Sequence, residues 1–215
     1  MFYEDRADAG RRLAKALSGY KVRKPVIIAL PRGGVPVAAE VAKALDAPLD
    51  LMIVRKVGVP FQPEVAMGAI AEGDPPTIVR NEDVIGSAGV TDQGFQSICR
   101  EKLEEIKQRQ KAYCGDRERI DLAGRTVIVV DDGIATGATM KAALRAVRRQ
   151  KPKGVVLAVP VAPSSTIAEL KEEVDAVICL DAPEPFYAVG QFYHDFRQTS
   201  DAEVIEALNQ SAVVR

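Results

Sequence analysis

Histidine is almost missing from this chain: His194 is the only one in 215 residues. A zinc site built on imidazoles, or a catalytic triad that needs one, has little material here. Cysteine is also scarce. Cys99, Cys114 and Cys179 are odd in number, far apart and without CxxC spacing. That pattern predicts reduced thiols in a cytoplasmic protein rather than a disulfide framework. The net charge is only −1 at pH 7, so general attachment to nucleic acid or to an anionic membrane surface is not expected. No apolar run approaches the roughly 18 residues that cross a bilayer. The start, MFYEDRADAG, lacks the basic-then-apolar layout of a secretory signal. There is no internal repeat and no low-complexity segment.

What the chain does have is a series of short apolar runs. VIIAL (Val26–Leu30), LMIV (Leu51–Val54), TVIVV (Thr126–Val130), VVLAVPV (Val155–Val161) and VDAVICL (Val174–Leu180) are continuous and rich in β-branched residues. Continuity rather than alternation is expected of parallel strands covered on both faces. Between them lie helical patterns. Val37, Val41 and Leu45 fall four residues apart, and Met140, Leu144 and Val147 form a second stripe that ends in Arg145, Arg148 and Arg149. Strand–helix alternation predicts an α/β fold with a doubly wound, mainly parallel sheet. Two regions depart from it. A turn-rich section from Arg55 leads to a polar helix at about Thr91–Tyr113, and an aromatic segment, DAPEPFYAVGQFYHDF, follows Leu180. A last helix is expected at about Asp201–Leu208.

The run VIVVDDGIATGAT, Val127 to Thr139, concentrates the chemistry. In a doubly wound sheet, ligands bind beyond the carboxyl ends of the strands. Asp131 and Asp132 stand at such an end, and the small residues after them lead into a helix N-terminus, where free N–H groups attract an anion. Gly133, Ala135, Gly137 and Ala138 allow close backbone approach, while Thr136 and Thr139 add hydroxyls. Two carboxylates cannot hold a phosphate; they suit hydroxyl groups or a divalent cation. A sugar 5-phosphate carries a diol and a phosphate, and so meets both needs. The run has no Gly-Lys-Ser/Thr, which disfavours an NTPase.

The same run resembles the phosphoribosyl-diphosphate motif of the type I phosphoribosyltransferases. The resemblance implies that Asp131 and Asp132 hold the ribose hydroxyls and that Ala135, Thr136, Gly137, Ala138 and Thr139 cradle the 5-phosphate. It implies a magnesium ion, with Asp131 and Asp132 acting on it indirectly through ligand and water. It also implies displacement of diphosphate by a small nitrogenous acceptor. PRGG, Pro31–Gly34, occupies the place of the family's diphosphate loop, with Arg32, Gly33 and Gly34 as ligands and a cis peptide at Pro31–Arg32. A closing loop is expected around Gly58–Pro63, with Arg55, Lys56 and Glu64 as its candidates, and Lys56 joins Asp131, Asp132 and Arg32 as a catalytic candidate. Tyr187-Ala188-Val189-Gly190 looks like the base-covering hood, with Tyr187 and Phe186 against the base and Tyr193 and Phe196 nearby. His194 fits a hydrogen-bonded hood position better than a catalytic one.

On this basis residues 1–215 form one domain: a core of about 20–180, a helical insertion of about 80–122 and a C-terminal hood of about 181–215 joined by the N-terminal segment. A homodimer is compatible with the family. Ala135 stands where hypoxanthine-guanine members carry an acid. Pro160 and Val161 stand where those members place a base-reading lysine, and His194 where they place a metal-facing aspartate. The departures argue against a 6-oxopurine acceptor. A non-catalytic regulator that senses phosphoribosyl diphosphate or a nucleotide is the alternative on the same fold.

Overall fold

Alternate residues of the apolar runs face different layers, which is why both faces of the sheet are buried. A computed structural model describes residues 2–115 and 117–211. Strands β1 (Val26–Ala29), β2 (Leu49–Leu51), β6 (Thr126–Val130), β7 (Gly154–Val161) and β8 (Ala176–Asp181) make one parallel sheet in the order β2-β1-β6-β7-β8. Ile27 and Ala29 of β1 and Ile128 and Val130 of β6 join one core layer with helices α1 (Arg6–Ala16), α2 (Gly34–Leu45) and α7 (Asp201–Ser211). Ile28, Val127 and Val129 join the opposite layer with α5 (Ala138–Arg149) and α6 (Ser164–Leu170). The expected helical stripes are the buried ones: Val37, Val41 and Leu45 on α2, and Met140, Leu144 and Val147 on α5.

The strand expected at Leu51–Val54 is divided between two sheets. The parallel strand ends at Leu51, and Val54 opens an antiparallel sheet of β3 (Val54–Val59), β4 (Gln62–Ala71) and β5 (Thr77–Arg80). Four successive apolar side chains carry no mark of where one sheet hands over to the next. The closing loop expected at Gly58–Pro63 is the tip of the β3–β4 hairpin, where the register shifts twice and Phe61 stands exposed. The interval 80–122 holds α3 (Glu82–Ser87) and α4 (Asp92–Cys114). Thr91 caps α4, its hydroxyl accepting from Gly94 N–H at 3.1 Å.

After α4 the chain returns to the sheet through a buried charge cluster. The Arg119 guanidinium donates to Asp50 at 3.2 Å and to Glu72 at 2.8 and 3.1 Å. Asp50 and Glu72 are 2% and 6% exposed, and they also accept backbone N–H groups from Leu51, Ile120 and Ile53. Carboxylates this deep persist only when their oxygens are filled. Arg119 thus ties the segment after α4 to β2 and to the end of β4. No helix among the described residues is long and apolar enough to cross a membrane.

Candidate active site at the strand switch point

β1 and β6 are neighbours, yet the chain leaves β1 toward β2 on one side and β6 toward β7 on the other. That divergence opens a crevice beyond their carboxyl ends. Pro31–Gly34 leaves β1 and Asp131–Thr139 leaves β6, so two turns distant in sequence adjoin. Leu30 N–H donates to Val130 C=O at 3.1 Å, extending the pairing to the base of both turns. The Pro31–Arg32 peptide is cis, as the position suggested.

The glycines of PRGG are explained by this closeness. A Cβ on Gly34 would lie 2.9 Å from the Asp131 Cα and from the Val130 carbonyl oxygen, and one on Gly33 would run into the Asp132 carboxylate. Only hydrogen fits. Gly33 and Gly34 therefore stand against Asp132 and Asp131, whereas the Arg32 guanidinium lies 3.5 Å from Asp201. The Ala135–Thr139 turn is fixed from outside: Ile134 N–H donates to Val161 C=O at 3.0 Å, and Thr166 Oγ1 donates to the Ala135 carbonyl at 2.8 Å. Gly137 has φ of +74°, a left-handed conformation that turns the chain into α5. Ala135 and Thr136 are exposed, and the first N–H groups of α5 follow them.

The acid pair is buried and crowded. Asp132 is 9% exposed and Asp131 is half-buried. Asp131 Oδ1 accepts the Asp132 N–H at 2.9 Å. Burial, then the neighbouring Asp132 charge, holds Asp131 well above the usual carboxylate range. Burial also raises Asp132, against the pull of Arg6. Arg6 is the residue that sequence reasoning missed. Its Nε donates to Asp132 Oδ2 at 2.7 Å and its Nη1 to the Arg197 carbonyl at 2.7 Å, while its guanidinium lies 4.0 Å from the Phe196 ring centre. Nothing in MFYEDRADAG marks this arginine, because its partners lie more than a hundred residues away.

The C-terminal segment folds over the same place. Val189 packs against Gly133, where an added Cβ would meet it at 2.5 Å. Tyr193 donates its hydroxyl to the Asp132 carbonyl and packs on Tyr3 and Phe196. The N-terminal segment is bonded alongside: Tyr3 N–H donates to Phe192 C=O at 2.8 Å, and His194 N–H to Tyr3 C=O at 2.9 Å. Tyr3 is fully buried, and burial with the nearby Asp181 charge pushes its phenol up to about 12. Of the base-facing candidates, Phe186 packs on Phe192 with ring centres 5.2 Å apart, whereas Tyr187 is 81% exposed. His194 is exposed beside Phe2. Lys56 lies on β3 and spends its ammonium on Glu64 across the hairpin at 3.1 Å, not on either turn. Among the described residues, no three His, Cys, Asp or Glu side chains gather as a metal cage. Asp131 and Asp132 offer hard oxygen donors that suit a cation arriving with further ligands of its own.

Comparison with known proteins agrees with this architecture. Residues 3–197 match the family model described as a phosphoribosyl transferase domain. Two Mycobacterium tuberculosis proteins, "Putative phosphoribosyl transferase Rv0571c" of strain H37Rv and "Putative phosphoribosyl transferase MT0597" of strain CDC 1551, are each 47% identical over 209 residues. That covers 97% of this chain but 47% of theirs, so the chain spans about half the length of these relatives. The crystal structure of TT1426 from Thermus thermophilus superposes with a TM-score of 0.82 at 39% identity, covering 98% of this chain and 99% of that one. With a family match over most of its length and paired strand-end turns at the switch point, the chain belongs to the phosphoribosyl transferase domain family.

Proposed function

We propose that this protein transfers the 5-phosphoribosyl group of phosphoribosyl diphosphate to a small nitrogenous acceptor in the cytoplasm, with magnesium, releasing diphosphate. The observation that carries the proposal is the juxtaposition at the switch point. An acid pair and an exposed small-residue turn opening a helix adjoin the glycine turn that carries Arg32. Asp131 and Asp132 would accept the ribose hydroxyls, and the Ala135–Thr139 turn would hold the 5-phosphate on N–H groups of α5. Arg32, Gly33 and Gly34 would face the diphosphate. Lys56 would reach it only by leaving Glu64. Phe186 and Tyr187 would cover the acceptor.

In the reaction the bond from C1 to the diphosphate oxygen breaks and its electrons leave with the diphosphate. The acceptor nitrogen forms the new bond to C1, and its proton passes to water. Magnesium, when bound, would neutralise diphosphate charge. The cation-like carbon needs electrostatic support rather than a nucleophile, which suits a site made of carboxylates and backbone dipoles. Residues 1–215 would act as one unit, with the N-terminal segment and residues 181–211 closing over the core.

A panel of nucleobases and amines with phosphoribosyl diphosphate and magnesium, scored for diphosphate release, tests this directly. Wild type should turn over with at least one acceptor. Asp131→Asn combined with Asp132→Asn should weaken phosphoribosyl-diphosphate binding at least about a hundredfold, since each hydrogen bond to a charged group contributes about 1.5–3 kcal/mol. Unchanged affinity in the double variant would refute the site. Binding without turnover across the whole panel would convert the reading to a sensor.

A further inference from the structure

The Arg32 side chain leads away from the acid pair into a second charged cluster, one built around a single carboxylate. Asp201, the first residue of α7, has its Oδ1 3.5 Å from Arg32 Nη1 and 4.0 Å from Arg109 Nη1. The same oxygen accepts the Tyr113 hydroxyl at 2.7 Å, and Arg109 Nη1 donates to that hydroxyl at 2.6 Å. Arg55 completes the group. Its Nε lies 3.3 Å from Glu105, its Nη1 donates to the Val54 carbonyl at 2.9 Å, and its buried Nη2 has no hydrogen-bond partner among the described residues. Burial and then the neighbouring Arg109 charge lower the Arg55 pKa, so these two guanidinium groups already crowd one another.

Three arginines, from the β1 turn, β3 and α4, thus face two carboxylates, and Glu105 is shared with Lys102. The cluster holds an excess of cations, and it begins at the residue assigned to the diphosphate. Asp201 is the poorly rooted member. Its side chain is 59% exposed, and α7 does not need it as a cap. Ser200 and Glu203 already form a reciprocal capping box, with Ser200 N–H donating to Glu203 at 2.8 Å and Glu203 N–H to Ser200 Oγ at 3.2 Å. A solvent-facing carboxylate that collects two arginines and a tyrosine hydroxyl does what one oxygen of a bound diphosphate would do.

We propose that Asp201 is a built-in stand-in for the diphosphate group, that Arg109 and Tyr113 are further ligands of that group beside Arg32, and that diphosphate binds by displacing the Asp201 carboxylate. The proposal rests on the phosphoribosyl-diphosphate reading of the site and adds ligands from α4 that neither strand-end turn supplies. It also couples occupancy of the site to α7, since the displaced residue opens that helix.

The test is titration calorimetry with inorganic diphosphate and magnesium, and separately with ribose 5-phosphate, on wild type, Asp201→Asn, Arg109→Gln and Tyr113→Phe. Thermal melts confirm that each variant is folded. Removing the competitor should tighten diphosphate binding, so Asp201→Asn should gain about tenfold, while Arg109→Gln should lose about tenfold or more, as for a hydrogen bond to a charged group. Tyr113→Phe should lose less, and ribose 5-phosphate affinity should match wild type in all three. The opposite signs of Asp201→Asn and Arg109→Gln are the signature. If Asp201 merely orients Arg32, Asp201→Asn weakens diphosphate binding, and the proposal falls. Unchanged diphosphate affinity in Arg109→Gln overturns it as well. A wild type that binds neither ligand overturns the underlying reading, whereas a wild type that binds both, with variants that match it, overturns only this proposal.

Discussion

Removing Arg6 should damage the protein through the carboxylate it leaves behind. Arg6 and Asp132 keep only 11% and 13% of their side-chain surface exposed, at 2.7 Å from one another. Truncating one partner of a buried pair costs about 3–5 kcal/mol, because the other charge stays in a poor solvent. Some exposure remains, so about 2–4 kcal/mol is expected for Arg6→Ala, with about 0.5–1 more from the lost stacking on Phe196. At about 2–4 °C per kcal/mol for a chain of this size, the melting temperature should fall by roughly 5–20 °C. The double-mutant cycle with Asp132→Asn isolates the pair. In the Asn background Arg6→Ala should cost about 2 kcal/mol less, because no charge is then stranded. The loss should also shrink as pH falls from 8 to 5. Without Arg6, Asp132 sits against Asp131 with burial still raising its pKa, and protonation relieves the stranded charge. Denaturant and thermal melts of the four proteins at both pH values decide it. A coupling energy below about 0.5 kcal/mol, or an equal deficit at pH 5 and pH 8, would refute the account of Asp132 as a charge held by Arg6.

Asp131→Asn should stabilise the free protein at neutral pH. Its raised folded-state pKa means that its contribution is fully present below the unfolded value of about 3.9 and is lost as pH rises through the folded value. The variant should therefore melt a few degrees higher at pH 7.5, the equivalent of about 1 kcal/mol, with no gain at pH 4, and calorimetric scans at both pH values would show it. Arg119→Ala should strand Asp50 and Glu72 at 2% and 6% exposure and cost about 3–5 kcal/mol, with a smaller loss for Arg119→Lys, read by urea denaturation.

The parallel sheet was legible because β1, β2, β6 and β7 are buried, with β8 partly so, and such strands read as unbroken apolar runs. The two turns were legible because close backbone approach admits few residues, so Gly33, Gly34 and Gly137 mark positions that any larger residue would obstruct. The second sheet was not. Val54 to Ala71 mixes glycine, proline and charge in a hairpin half open to solvent, and its strands are set by pairing rather than by periodicity. Arg6 and Asp201 escaped for a different reason. Each acts through partners far away in the chain, and charged residues at helix starts are too common to single out.

A net charge of −1 argues against general attachment to nucleic acid or membrane, and within the site the charges are sorted rather than averaged over the surface. The β6 turn gathers two carboxylates, and the crevice beside the β1 turn gathers arginines. Either group alone would repel itself, and each is answered by one side chain from a terminal helix: Arg6 of α1 on Asp132, and Asp201 of α7 on Arg32. Both helices pack on α2, whose first residue is Gly34 of the PRGG turn. The strand-end turns therefore supply groups that a ribose and a diphosphate would satisfy, and the chain's own terminal helices hold those groups in their place. On the proposed reading, filling the site would exchange internal partners for ligand ones, rather than bury new charge.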